Sequence, residues 1–155
     1  MKRTKYNVST NKETRLFDGI LFASNLEMRY YRDYVLPKIN DGLIKKCELQ
    51  VKYPLQDSFK HKDHTGKVVT VRAIDYVADF VITWENGTRQ IVDTKGKPDN
   101  TALLKRKLFW LKYPDEEYIW VSYSEANGGW IIYDDLQKIR RENKKAKMTA
   151  LKKEK

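Results

Sequence analysis

The sequence is poor in cysteine and has no long apolar run. Cys47 is the only cysteine, so the chain cannot close an internal disulfide, and we expect a protein of the reducing cytoplasm. No apolar run is long enough to span a bilayer, and the basic start of the chain is not followed by the apolar stretch of a signal peptide. We therefore predict a soluble cytoplasmic protein without a membrane partner.

Two kinds of cofactor motif are also missing. There is no glycine-rich phosphate loop, which argues against the use of ATP. His61, Asp63 and His64 stand close together, but no second cluster of cysteine or histidine accompanies them, so the spacing of a structural zinc site is not met.

The chain does contain many charged and aromatic residues, and it is long enough for one folded domain. Its 155 residues are 12% aromatic and 41% hydrophobic, which predicts an ordered body with a sizeable core. The net charge is +10, of which residues 137–155 carry +7 and the other 136 residues carry +3. A basic tail on a nearly balanced body favours a polyanionic partner, although a merely solubilising tail would have the same composition.

The order of predicted elements is that of an α/β domain. Ser24 and Glu27 form a capping box that starts a helix, and Pro37 ends that helix or begins its last turn. The other predicted elements are a strand at 49–53, a loop at 54–66, strands at 68–76 and 77–84, a helix at 101–113, strands at 118–123 and 130–133, and a helical tail from residue 134. We expect a mixed β-sheet flanked by helices. The predicted organisation is a basic flexible arm at 1–15, a core domain at 16–135 and a basic C-terminal helical tail at 136–155.

The strongest functional signal is a predicted hairpin that ends in charged residues. Asp79 lies in its first strand and Asp93-Thr94-Lys95 ends the second, with Glu85-Asn86-Gly87 between them. A two-residue turn would place the two aspartates on opposite faces of the sheet. A three-residue loop, closed by a left-handed glycine, places Asp79 directly across from Asp93, with Cβ atoms roughly 5 Å apart. Lys95 shares that face, because strand side chains alternate.

Two carboxylates and an ammonium suit the hydrolysis of a phosphodiester with a divalent cation. Mg²⁺ or Mn²⁺ prefers oxygen ligands, which Asp79, Asp93 and the Thr94 backbone carbonyl would supply. The cation would stabilise charge on the phosphate and lower the pKa of a bound water, while Lys95 would hold that water or a phosphate oxygen. Short D-x-K strings are common, so an ordinary hairpin with a surface ion pair stays open. Asp75, on the same face as Asp79, is a rival first carboxylate.

Glu27 is a third candidate acid. As the third residue of the first predicted helix it completes the capping box with Ser24, and that structural role alone would account for it. The functional interpretation is a carboxylate that the helix presents to the metal site, directly or through water. Both interpretations stay open at this point.

Several short segments of the chain occur in an order shared with a group of nucleases. These segments are residues 17–19, 22–31, 50, 76–80 and 92–96. In them the chain resembles the PD-(D/E)xK nuclease superfamily and, more closely, the phage family DUF1064, over roughly residues 17–114. The resemblance implies a restriction-endonuclease-like fold, similar in layout to Holliday-junction resolvases and to the endonuclease subunit of some transposases. The chain departs from the superfamily pattern in one respect, since Ala78 and not proline precedes Asp79.

The resemblance also implies a role for each matching residue. Glu27 would be the helix acid, acting on the cation through water, Asp79 the first metal ligand, Asp93 the second acid and Lys95 the motif lysine. Gln50 would lie near this cluster and contact a water or a phosphate, although an exposed polar strand residue fits the sequence equally well.

A basic helix after the catalytic strand supports DNA as the partner. The predicted helix at 101–113 fits the apolar spacing of Leu104, Leu108 and Leu111. The cations expected to contact phosphates here, or just before the helix, are Lys97, Lys105, Arg106 and Lys107. A solvated helix face would explain any one of these lysines.

Together these observations predict a Mg²⁺- or Mn²⁺-dependent DNA endonuclease, phage-encoded and acting in the host cytoplasm, with a preference for branched or structured DNA. Resolvase-like cutting of a junction would require a two-fold homodimer to place two active sites. The alternative is a non-catalytic DNA-binding accessory protein with a nuclease fold. A nuclease that acts on RNA also stays open, because nothing in the sequence reads a 2′-hydroxyl.

Overall fold

The structure, a computed structural model, describes residues 12–153. In chain order the strands are β1 Leu16–Phe17, β2 Ile20–Leu21, β3 Ile44–Gln56, β4 Phe59–Lys62, β5 Val68–Val71, β6 Ile74–Trp84, β7 Arg89–Thr94, β8 Glu117–Ser124 and β9 Gly129–Ile132. The helices are α1 Asn25–Tyr30, α2 Leu36–Asn40, α3 Asn100–Lys112 and α4 Tyr133–Lys153, with a π-helical turn at Tyr31–Val35. The predicted arm at 1–15 lies outside the described residues except for 12–15.

A five-stranded mixed sheet, in the order β3-β6-β7-β8-β9, forms the main β-structure. This sheet and its flanking helices confirm the predicted α/β class. The chain packs as two compact units. Of the described residues, the first unit comprises 12–40, Asp93–Gly96 and 119–153, and the second comprises Asp41–Val92 and Lys97–Tyr118.

The second unit is built on β6, whose sequence is rich in β-branched and aromatic residues. Phe80, Val81 and Ile82 are fully buried, as expected for a strand covered on both faces. β6 pairs antiparallel with β3 on one side and with β7 on the other. The fully buried Phe109 of α3 packs in an aromatic cluster. The rings that surround Phe109 are Tyr53, Tyr76, Tyr113 and Tyr118.

The first unit has its own aromatic packing. The Tyr30 ring stacks on Tyr34 at 4.9 Å and meets Trp130 edge-on at 5.0 Å. Trp120 of β8 packs against Tyr133, the first residue of α4, at 5.6 Å. Leu136 is 2% exposed, so the first turn of α4 is anchored in this core.

Pro37 begins the last turn of the first helical segment, which is one of the two outcomes predicted from the sequence. Helical structure continues through α2 to Asn40. The π-helical turn precedes the proline, and there the Leu36 N–H donates to the Tyr31 carbonyl, five residues earlier. In a regular α-helix the proline ring would clash with the carbonyl four residues before it. The wider turn makes room for the ring, so the chain remains helical.

The loop predicted at 54–66 is wrong, because most of it is strand. β3 passes through Pro54 and ends at Gln56, and β4 follows at Phe59–Lys62. β3 is an edge strand of the sheet, where a proline without an N–H is tolerated. The strand predicted at 68–76 is also divided, since β5 ends at Val71 and pairs with β4, whereas β6 begins at Ile74.

The leucine spacing in α3 does not mark its buried face. The helix itself lies close to the predicted bounds, but Leu104 is 57% exposed and Leu111 is 80% exposed. Arg106 and Phe109 are the buried residues of this helix. The aromatic cluster round Phe109 fixes which face turns inward, and this cluster joins residues distant in sequence.

The structure can be compared with two features of the sequence, its single cysteine and its lack of a long apolar run. Cys47 lies in β3, where burial, with a smaller contribution from Glu48, raises the pKa of its thiol to about 12. Across residues 12–153, no helix combines the length and the apolar character needed to cross a membrane.

Candidate metal-binding active site

The β6–β7 hairpin has the register that the three-residue loop predicts. Phe80 pairs with Val92, and Trp84 N–H donates to the Thr88 carbonyl at 2.9 Å. Gly87 closes the loop with a φ of 84°, and its N–H donates to the Trp84 carbonyl at 2.9 Å. The prediction of a three-residue loop is therefore confirmed. In the chain, the candidate carboxylate Asp79 directly precedes Phe80, and the candidate carboxylate Asp93 directly follows Val92.

Asp79 is half-buried in β6 and belongs to the second unit. The registered pairs on either side of it across β3 are Leu49–Phe80 and Val51–Ala78. Gln50 therefore occupies the position of β3 that faces Asp79. The rival carboxylate Asp75 lies in an ion pair, with Lys52 Nζ at 2.7 Å from its Oδ2.

Gln50 has an unusual backbone conformation for a strand residue. Its φ is +52°, in the left-handed region that a residue with a Cβ adopts at a cost. The Gln50 side chain is exposed, so its burial cannot offset the free energy cost of this backbone conformation. Residues held in such conformations cluster at functional sites. This observation supports the functional interpretation of Gln50 without showing what the side chain binds.

Asp93 and Lys95 meet in the first unit. The Asp93 side chain is 1% exposed, and its Oδ2 lies 2.5 Å from Lys95 Nζ. That oxygen makes no hydrogen bond of normal geometry within residues 12–153. The Lys95 side chain is 27% exposed, so its ammonium reaches the surface while the carboxylate does not. Burial of a carboxylate is energetically costly, and the positive charge of Lys95 offsets this cost for Asp93.

Glu27 is the second buried carboxylate of this unit. The Ser24 hydroxyl accepts a hydrogen bond from Glu27 N–H at 3.1 Å, which caps α1 as predicted. Glu27 Oε2 in turn accepts from Ala23 N–H at 3.3 Å, one residue earlier than in a standard capping box. The Glu27 side chain therefore folds back over the helix start, and the residue is 6% exposed. The cap that Ser24 forms on the helix is confirmed, whereas the Glu27 carboxylate bonds Ala23 N–H in place of Ser24 N–H.

The pKa of Glu27 is raised, chiefly because burial penalises the charged carboxylate. The negative charge of Asp93 acts in the same direction. Hydrogen bonds from Ser24 and Ala23 and the positive charge of Lys95 act in the opposite direction and only partly offset these effects. The structure thus brings Glu27, Asp93 and Lys95 into one electrostatically coupled group.

The residues that hold Lys95 were not identified from the sequence. Its backbone N–H donates to the Val121 carbonyl at 2.8 Å, and the buried Ser122 hydroxyl donates to its carbonyl. Lys95 Nζ also lies 5.7 Å from the centre of the Trp120 ring. These three consecutive residues of β8 fix the backbone and the side chain of Lys95. The only sequence signal was that they lie in a predicted strand.

The candidate ligand atoms are all oxygens, the type of ligand that a hard divalent cation binds. Within the described part of the chain, no three His, Cys, Asp or Glu side chains form a preassembled metal site. Glu27 and Asp93 are nevertheless two buried carboxylates in one electrostatic group, and oxygen donors are the ligands that Mg²⁺ and Mn²⁺ prefer. Thr94 is 7% exposed, and its carbonyl stays a predicted ligand.

The four predicted DNA-binding cations have different surroundings. Lys97 and Lys107 are exposed. Lys105 Nζ donates to the Asp75 carbonyl at 2.6 Å, and Arg106 is buried with its guanidinium 4.4 Å above the Trp110 ring. Exposure therefore favours Lys97 and Lys107 as phosphate contacts. The roles of all four residues stay predictions.

The segment from His61 to His64 has a structural explanation. Asp63 Oδ1 accepts hydrogen bonds from the Thr65 N–H and hydroxyl at 2.9 and 2.6 Å, and from Lys67 N–H at 3.0 Å. The hydrogen bond from the Thr65 side chain is the main cause of the lowered pKa of Asp63. The Asp63 carboxylate is thus engaged in a turn.

Comparison with known protein families identifies the family of the chain. The family model described as "Protein of unknown function (DUF1064)" matches residues 3–129. Neither the curated proteins nor the solved structures contain a significant match to the chain. The matched range covers most of the 155 residues and includes all the candidate active-site residues. The chain therefore belongs to the DUF1064 family.

Proposed function

We propose that the protein is a Mg²⁺- or Mn²⁺-dependent DNA endonuclease of the PD-(D/E)xK type, with a restriction-endonuclease-like core. The observation that carries this proposal is the group formed by Glu27, Asp93 and Lys95. Two buried carboxylates lie in the field of a partly exposed ammonium, which forms an ion pair with one of them, Asp93. A purely structural ion pair would not require a second buried acid beside it.

Each residue has a definite role in the proposed reaction. Asp93 and Asp79 would supply carboxylate ligands, the Thr94 carbonyl a further oxygen, and Glu27 a contact through water. A divalent cation bound there would stabilise charge on the scissile phosphate and lower the pKa of the attacking water. Lys95 would orient that water or a nonbridging phosphate oxygen.

The rigid attachment of Lys95 to β8 supports a catalytic role for its ammonium. A lysine that orients a nucleophile must keep its position through the reaction, because small displacements are costly in rate. The Val121 carbonyl and the Ser122 hydroxyl bond the Lys95 backbone on both sides of its Cα.

DNA is the proposed substrate, with branched or otherwise structured DNA preferred. The basic segment at 137–155 and the exposed Lys97 and Lys107 would supply phosphate contacts, and Gln50 would lie beside the reacting strand. A phage-encoded enzyme would act in the host cytoplasm. Paired cuts in a junction would require a homodimer with two active sites related by two-fold symmetry.

The test is cleavage of a labelled four-way junction, a fork, a linear duplex and a single strand, each with Mg²⁺, Mn²⁺ or EDTA. Paired, metal-dependent nicks in the junction would establish a resolvase-type enzyme, and cutting of every substrate would indicate a general nuclease. An RNA duplex of the same sequence tests the alternative hypothesis that the protein is a ribonuclease. Absence of cutting with retained, salt-sensitive DNA binding would reject the enzyme in favour of a DNA-binding accessory protein.

A further inference from the structure

The β4–β5 hairpin, residues 59–71, forms a two-stranded sheet separate from the main sheet. All four residues of β4 are exposed, and no residue of β5 is buried. Isolated two-stranded hairpins are at best marginally stable in water. A chain that maintains such a hairpin without a buried face therefore gains little from it in core packing.

The turn of this hairpin is closely specified. The Asp63 carboxylate accepts three hydrogen bonds from Thr65 and Lys67. Asp63 N–H donates to the Lys67 carbonyl and Gly66 N–H to the Asp63 carbonyl, both at 3.0 Å. Gly66 has a φ of 82°, which the turn requires and which glycine adopts without strain. The hairpin is thus defined by its turn and its strand pairing.

The hairpin and the residue that follows it are strongly basic. Its cationic residues are Lys60, Lys62, Lys67 and Arg72. Asp63 is the one carboxylate in residues 59–72, and it is engaged in the turn, so the net charge of this segment is +3. His61 and His64 add polar groups near the tip. The charge and the exposure together favour a polyanion as the partner of this surface.

The register places two of the lysines side by side on one face. Lys60 pairs with Thr70, and Lys62 pairs with Val68. Alternate residues of a strand point to the same side, so the two lysines lie roughly 6.6 Å apart along β4. Lys60 Nζ lies 2.5 Å from Thr70 Oγ1, which fixes that ammonium against the opposite strand. The face presents a short row of positive charge that could follow a phosphate backbone.

We propose that the β4–β5 hairpin is a DNA-binding arm that enters the major groove of duplex DNA, with Lys60 and Lys62 on backbone phosphates. A two-stranded β-ribbon fits the major groove, which is about 12 Å wide. A second copy of this chain is a poorer partner, because two hairpins of net charge +3 repel each other. The choice of DNA rests on the proposed function.

The experiment measures binding separately from catalysis. Anisotropy of a labelled duplex and of a single strand is followed over a range of salt concentrations, in EDTA and with the Asp93→Ala protein. The Lys60→Ala/Lys62→Ala variant is compared with Lys45→Ala/Lys46→Ala, a pair of exposed lysines in β3 of the same unit. Both double variants remove two positive charges, and the control also breaks the ion pair between Lys46 and Glu48.

The expected result is a weaker affinity of the hairpin variant for the duplex, with the slope of log K against log salt smaller by about 2. The control variant and the single-strand affinity should change much less. The proposed DNA-binding arm would be overturned if both double variants weakened duplex affinity equally. It would also be overturned if the hairpin variant lost affinity equally for duplex and single strand. A change in sedimentation without a change in DNA affinity would overturn it in favour of a contact between copies. Cleavage by the unmutated protein decides the proposed function independently.

Discussion

Asp93 and Lys95 form an ion pair between a buried carboxylate and a partly exposed ammonium. The Asp93 side chain is 1% exposed and the Lys95 side chain 27%. The contact between Asp93 Oδ2 and the ammonium does not have normal hydrogen-bond geometry. Removing only one partner would leave an uncompensated charge in the protein interior. The pair therefore links stability to the residues on which the proposed chemistry depends.

A double-mutant cycle tests this coupling. We expect Lys95→Met to lower the free energy of unfolding by roughly 1–3 kcal/mol at neutral pH, because the Asp93 carboxylate loses its counter-charge. Adding Asp93→Asn to this variant should recover most of the loss. Urea unfolding of the four proteins in EDTA gives the coupling energy. Simple additivity of the two substitutions would contradict the account.

Glu27 predicts a pH dependence of stability. Its pKa is raised in the folded protein, so protons bind more tightly in the folded than in the unfolded state. Its stabilising contribution is therefore complete below the ordinary value of 4.5, and it is lost as pH rises through the raised folded pKa. Glu27→Gln should remove this loss and stabilise the protein at neutral pH by about 1 kcal/mol.

The measurement for Glu27 is thermal unfolding in EDTA at mildly acidic and neutral pH. Glu85→Gln, at an exposed position in the β6–β7 loop, is the matched control. Glu27→Gln should be more stable than the unmutated protein at neutral pH and should cleave DNA poorly. Equal pH profiles for Glu27→Gln and the unmutated protein would show that the Glu27 carboxylate carries no folding penalty.

At the scale of elements, local signals predicted structure well where neighbouring residues decide it. Glu85-Asn86-Gly87 predicted the hairpin register, since loop length and a left-handed glycine determine which residues pair. Ser24 likewise predicted the start of α1. Loop predictions based on Pro54 failed, because the effect of a proline depends on whether its strand lies at a sheet edge. That position is set by pairing between residues distant in sequence.

The active site was predictable to a similar extent. Asp93, Lys95 and Glu27 could be proposed from spacing and resemblance, and the structure brings these three together. The support that Val121 and Ser122 give to Lys95 could not be predicted, because it depends on the order of strands in the sheet. The sequence carries no local mark of a backbone contact between distant strands.

Gln50 gives a prediction about β3. Glycine adopts the left-handed conformation without strain, so Gln50→Gly should be more stable than Gln50→Ala by about 1 kcal/mol. At the exposed neighbour Lys52 the order should be reversed, because glycine weakens an ordinary strand position. Chemical unfolding of the four variants measures both differences. The same order at both positions would mean that Gln50 is not strained.

At the scale of the whole molecule, charge is concentrated in α4. Leu136 anchors the first turn of this helix, whereas residues 140–151 are all exposed. The exposed residues 140–151 contribute little to packing and carry a net charge of +4, and the segment 140–155 carries +6 of the chain's net charge of +10. Binding of a polyanion and stability of the fold should therefore be separable by truncation.

Deletion of residues 140–155 tests that separation. The free energy of unfolding of the variant should lie within about 0.5 kcal/mol of that of the full chain, because residues 140–151 are exposed. Its affinity for duplex DNA should fall, and the salt dependence of binding should weaken, since fewer counterions are released. Anisotropy titrations at several salt concentrations measure this. Unchanged binding would assign the basic tail to solubility alone.

The most direct test of the central claim compares cleavage of a labelled four-way junction by the unmutated protein and by Asp93→Ala, with Mg²⁺ and with EDTA. Asp115→Ala, at an exposed position before β8, serves as the matched control. The account predicts Mg²⁺-dependent nicks with the unmutated protein and the control, and none with Asp93→Ala, although all three proteins remain folded. Cleavage by folded Asp93→Ala at the unmutated rate would contradict the assignment of this active site.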